Sequence, residues 1–145
     1  MTEDREALLR TEAERAAELE AIVSTLSEEE AAEANVNEDG WSVKALVYHI
    51  AHWQSVGAAA IAGQTGVYAG SDTDLDRENA RVLERSSELS LAAVLDEWAL
   101  ARTRSREALA AVEAPSQTDL EWFTEEGVDH MATHLAELVA WNGRR

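Results

Sequence analysis

Cysteine is absent from the 145-residue chain. Disulfides, thiolate nucleophiles and cysteine-bound zinc are therefore excluded. Proline occurs once, at Pro115, so little breaks a helix. No apolar run approaches the ~18 residues that a membrane-spanning helix needs. The N-terminal stretch MTEDREALLRTEAER is charged and lacks the apolar core of a signal peptide. These absences lead us to expect a cytoplasmic protein. Lysine is also scarce, with Lys44 the only one.

Acid dominates what is present. The formal net charge is −17, from 29 acidic and 12 basic residues. Such a surface repels phosphate backbones and anionic lipid, so neither nucleic acid nor membrane is expected as a partner. Apolar residues make up 46% of the chain, and much of that share is alanine, the strongest helix former. Alanine richness and arginine in place of lysine fit a GC-rich genome of actinobacterial type; a salt-adapted host fits the acidity as well. The length suits one domain over residues 1–145, and a domain of this size buries roughly 70% of its unfolded surface.

Apolar spacing predicts an all-α fold. A first helix runs from about Glu3 to Thr25 on Leu8, Leu9, Ala13, Ala16, Leu19, Ile22, Val23 and Leu26. Ser27 with Glu30 forms a capping box that opens a short helix to Ala34. Residues 35–40 (NVNEDG) read as a loop. Ser42 caps a helix from Val43 to about Gly63, with Val43, Leu46, Val47, Ile50 and Trp53 as its core stripe. Residues 64–74, with Gly66 and Gly70, read as a loop. Asp74 or Asp76 opens a helical segment over Glu78–Arg85. Ser90 caps a strong helix to about Glu113 with a seam of Leu91, Leu95, Trp98, Arg102, Ser105, Leu109 and Val112. Arg102 and Ser105 break that seam; the arginine either snorkels past the bundle edge or faces an interior cavity or anion. Pro115 ends the helix, Ser116 to Phe123 link onward, and Thr124 caps a last helix carrying Val128, Met131, Leu135, Leu138 and Val139. Four main helices with short connections predict a four-helix bundle.

The four histidines carry the chemistry. His130 and His134 stand four apart in DHMATH, which on a helix puts both rings on one side. The pattern lacks the glutamate of HExxH, so no metalloprotease is implied. Measured from Leu135 at ~100° per residue, His134 lies roughly 100° and His130 roughly 140° away, flanking the core. His49 lies roughly 60° from Leu46, at the margin of the apolar face, and His52 about 60° further out. His49 is therefore the third candidate metal ligand, and His52 a surface or supporting group. Three neutral imidazoles suit zinc, nickel, copper or iron and leave zinc an open fourth position. Glu125 and Glu126 are read as charge bias at a helix N-terminus. The five tryptophans are read mainly as core, or as pocket lining.

Three blocks together resemble a known family. GWSVKALVYHIAHWQ (residues 40–54), DLDRENA (74–80) and DHMATHLAEL (129–138) resemble, in order, the signatures of the DinB-like (DinB/YfiT-like) superfamily. The resemblance implies a DinB-like four-helix bundle. It maps the metal ligands onto His49, His130 and His134, with a divalent ion, zinc or nickel, as cofactor. The superfamily includes mycothiol- and bacillithiol-dependent transferases, mycothiol-dependent maleylpyruvate isomerases and ClbS/DfsB-like proteins, and homodimers are frequent in it. The implied function is a metal-dependent transferase joining a low-molecular-weight thiol of mycothiol type to a small-molecule electrophile, with a homodimeric assembly. Two alternatives stay open: a metal-dependent hydrolase or detoxification protein, and a non-catalytic stress protein that binds a small molecule or metal. The isomerases carry a further C-terminal domain, for which no counterpart is expected here, and the stretch between Pro115 and His130 is short for the family.

Overall fold

A computed structural model describes residues 2–33, 35–64 and 72–145. Every element among them is helical: α1 (Thr2–Val23), α2 (Glu28–Ala32), α3 (Val43–Ile61), α4 (Asp72–Ser87), α5 (Leu91–Ala111), α6 (Gln117–Phe123), a π-helical turn (Thr124–Asp129) and α7 (His130–Gly143). Serines start four of them. Ser27, Ser42, Ser90 and Ser116 each hold extended backbone and accept the N–H three residues on, which satisfies a donor the helix leaves orphaned. Glu28 adds a second cap, its Oε2 accepting the Leu91 N–H at 2.7 Å, so α2 helps start α5. Gly63, with φ +78°, follows the end of α3 in the left-handed conformation that stops helices.

The helix α1 packs on α5 and α7, and α3 packs on the same two, so α1 and α3 face each other across a four-helix bundle. The helix α4 lies along an outer flank of α3. The apolar interior falls into two clusters. The larger joins Ala16, Leu19, Leu46, Ile50, Met131 and Leu138, and the smaller joins Ile61, Leu109, Phe123 and Val128. Between them lies a buried polar layer. Glu12 is fully buried on α1; it accepts from Gln54 Nε2 at 3.0 Å, from Arg102 Nε and Nη2 at 2.8 Å each, and from Arg106 Nη1 at 2.8 Å. The two guanidiniums and the amide hold the Glu12 carboxyl below the usual carboxylate range, outweighing the burial that pushes it up.

Several expectations shift. The α5 seam is Leu91, Val94, Trp98, Ala101, Ser105 and Leu109, with Leu95 and Arg102 at its half-buried margin. Arg102 pairs with the buried carboxylate of Glu12 instead of simply snorkelling, and it also lines a small cavity with Trp98 and Glu20. The helix α4 opens at Asp72, ahead of Asp74. Gly66 and Gly70, expected in a loop, lie outside the described residues. The segment read as a linker after Ser116 is helical, because Ser116 and Asp119 form a capping box. Thr124 is not a cap: its φ and ψ are helical, and α6 passes through the π-helical turn into α7.

Candidate metal centre

Three imidazoles meet between α3 and α7. His49 Nε2 lies 2.9 Å from His130 Nε2, and His134 Nε2 lies 3.0 Å from the same atom. All three nitrogens fall within 4.8 Å of one another, an arrangement that could hold a metal ion. Helix repeat supplies one side: His130 and His134 are one turn apart on α7. Packing supplies the other, for His49 is buried in α3, where the helix turns toward α7. His134 is buried as well, deeper than its wheel position relative to Leu135 predicts, because Trp41 stacks over it at 6.0 Å between ring centroids. Trp41 also meets the edge of His49 at 4.7 Å.

The nitrogens do not satisfy one another. A neutral ring nitrogen carries either one proton or one lone pair, so His130 Nε2 cannot form two good hydrogen bonds with two nitrogens of the same kind. One cation placed between them satisfies all three lone pairs. Nitrogens about 2.1 Å from a shared ion sit about 3.0–3.4 Å apart, close to the two short edges seen here. The donor set thus fits a divalent ion that favours imidazole.

Charge state agrees with this. Burial, then the neighbouring rings, pushes His49 down to about 3 and His130 down to about 4; burial also lowers His134, against the opposing pull of Glu137. All three are neutral at pH 7, the form a metal requires. The far nitrogens point to carboxylates where they have company. His134 Nδ1 is 3.3 Å from Glu137 Oε1, and His130 Nδ1 is 3.7 Å from Glu126 Oε2. Glu137 is held in turn by Asn37, whose Nδ2 donates to Oε2 at 2.9 Å, while Asn37 Oδ1 accepts the Trp41 N–H at 3.1 Å. One loop asparagine therefore holds both the carboxylate behind His134 and the backbone of the tryptophan that covers it.

His49 and His130 also line a cleft of about 530 Å³, walled by Trp53, Trp122 and Leu75 and edged by Glu125, Glu126 and Asp129. Trp53 Nε1 donates to Asn79 Oδ1 at 2.8 Å, which ties this wall to α4. Burial, then the charge of Glu125, raises the Glu126 carboxyl to about 7. The π-helical turn builds this edge: the His130 N–H reaches back five residues to Glu125 O. Such turns recur at functional sites, where one extra residue per turn re-aims side chains. Gly57 admits it, since a Cβ there would stand 3.2 Å from Glu126 Cβ.

His52 stays outside the cluster. Its Nε2 is 3.1 Å from Glu78 Oε1 on α4, and burial lowers its pKa. The N-terminal reading of Glu125 and Glu126 is corrected, for these residues lie inside a continuous helical run with no free N-terminus beside them. The tryptophans divide: Trp98 and Trp141 are core, Trp41 covers the imidazoles, and Trp53 and Trp122 wall the cleft. Sequence reasoning missed Glu126, Glu137 and Asn37 as neighbours of the histidines. The two glutamates had a signal, four before His130 and three after His134.

Among the described residues no helix is long and apolar enough to cross a membrane. No curated protein and no solved structure matches the chain. The sequence profile of the DinB superfamily does, over residues 10–142. With that match spanning nearly the whole helical bundle, the chain belongs to the DinB superfamily.

Proposed function

We infer that this chain is a metal-dependent transferase that joins a low-molecular-weight thiol, of mycothiol type, to a small electrophile. The observation that carries the reading is the meeting of three imidazole nitrogens, two of whose rings, His49 and His130, line a cleft large enough for a small molecule. His49, His130 and His134 would hold a divalent ion, zinc or nickel. When bound, such an ion stabilises a sulfur as thiolate, the nucleophilic form, at neutral pH.

The chain's own residues supply the rest. Trp53, Trp122 and Leu75 exclude water from the apolar body of the electrophile and orient it. Transfer breaks the thiol S–H bond and the bond to the leaving group, and forms the new S–C bond. The proton passes from sulfur to the leaving group. Glu126, whose carboxyl lines the same cleft, is placed to carry it. Glu137 and Asn37 keep the His134 ring in one orientation throughout.

Hydrolysis is the second reading. It is favoured by the carboxyl of Glu126 beside the imidazoles, the placement of a general base for water. Purification with metal analysis, followed by turnover of 1-chloro-2,4-dinitrobenzene with and without mycothiol, tests both. Stoichiometric metal and a thioether product only with thiol are expected. Product formed without thiol replaces the transferase by the hydrolase, and a chain devoid of metal after careful isolation removes both.

A further inference from the structure

The cleft has an electrostatic character that the imidazoles do not explain. Glu125, Glu126 and Asp129 edge it, and among the described residues neither lysine nor arginine lines it. Glu125 and Asp129 make no ion pair among the described residues. These acids also serve no helix end, because the chain is helical from Gln117 through Gly143. The opposite wall is apolar, with the indoles of Trp53 and Trp122. His49, 6% exposed, and His130 complete the lining.

We propose that this cleft takes a small organic cation: a molecule with an apolar or aromatic body and an ammonium head. The indole faces attract a cation and cover its apolar body. The carboxylates provide the charge that a desolvated ammonium must otherwise leave in water. An anionic body would instead meet two uncompensated carboxylates at the rim, and that repulsion is a means of rejecting wrong substrates. This inference rests on the proposed function only in taking the cleft as the substrate pocket; it does not depend on which bond is made.

Three probes of one shape and different charge test it, none of them a strong metal ligand: benzyltrimethylammonium, benzyl alcohol and benzylsulfonate. Binding is measured by calorimetry on the full chain, both metal-free and zinc-loaded. The cation is expected to bind at least about tenfold more tightly than the sulfonate. The Glu125→Gln/Asp129→Asn double variant is expected to bring that ratio toward one with zinc stoichiometry unchanged. Equal binding of all three, no binding of any, or a preference that survives the double variant overturns the proposal. Metal content is read separately in the same preparations. A chain that takes no zinc yet prefers the cation refutes the transferase reading alone, and one that takes zinc without charge preference refutes this inference alone.

Discussion

Glu137 stands directly behind His134, with its Oε1 3.3 Å from the ring Nδ1 and its other oxygen held by Asn37. A carboxylate in that position fixes the tautomer and makes the opposite nitrogen a better donor. Glu137→Ala is therefore expected to weaken zinc affinity by about 10- to 100-fold, the usual cost of losing such a partner. Chelator competition measures it, with circular dichroism as the control for folding. Asn37→Ala acts through Glu137 and should shift affinity in the same direction by less. Unchanged affinity in Glu137→Ala would mean that the carboxylate orients nothing.

The histidines divide into three and one. His134→Ala is expected to abolish stoichiometric metal binding with little loss of helicity, since its ring packs at the margin of the core. His52→Ala is expected to keep full metal content, because that ring pairs with Glu78 on α4 instead. Metal analysis of both variants decides. Full stoichiometry in His134→Ala, or its loss in His52→Ala, contradicts the site as drawn.

Much of this was legible in the chain, and what was not has identifiable causes. Ser27, Ser42 and Ser90 announced their helices because capping is local chemistry. Ser116 carries the same signal with Asp119 three residues on, but the segment after it was read as a link. His130 and His134 followed from helical repeat alone. His49 joining them is a packing result, which the wheel could only make plausible by putting it beside Leu46. The π-helical turn left no periodic trace, since one extra residue in a turn is stabilised by contacts with α3, including the space at Gly57. Arg102 was noticed as a break in a seam, but its cause, Glu12, sits 90 residues away and looks like one more acid in a charged helix.

The depressed histidines set a sign for pH. With His49 at about 3 and His130 at about 4, these two rings carry no proton for a metal to displace between pH 8 and 6, and His134, lowered by burial, carries less than an ordinary imidazole. Zinc affinity should change by less than about fourfold, the loss of one ordinary imidazole, across that range. Ordinary imidazoles at ~6.5 would each lose about fourfold by pH 6. The metal-free chain should show the converse. The unfolded state binds protons at these rings as pH falls through ~6.5, while the folded state does not until about 4. Their contribution to stability is thus complete above pH 6.5 and is lost on acidification. Glu126, raised to about 7, acts oppositely and offsets part of the loss. A triple His→Gln variant shares all other titrations, so urea midpoints of the metal-free wild type should fall relative to it between pH 6.5 and 4.5. A constant difference would show that the rings are not desolvated.

Glu12 tests what separates the two apolar clusters. Its carboxylate is fully buried, and it is the only acid between Arg102 and Arg106 within the described polar layer. Removing one partner of a buried pair leaves the other charges uncompensated, typically at about 3–5 kcal/mol. Arg102 and Arg106 keep side-chain exposures of 23% and 34%, so water can reach them and the lower end of that range applies. Glu12→Ala is expected to destabilise the bundle by about 3 kcal/mol in urea unfolding. Replacing Glu12, Arg102 and Arg106 together by leucine or methionine should recover most of that loss, because no charge is then left unpaired. If Glu12→Ala alone costs less than about 1 kcal/mol, the layer is solvated in the folded chain, and Arg102 reverts to a snorkelling side chain.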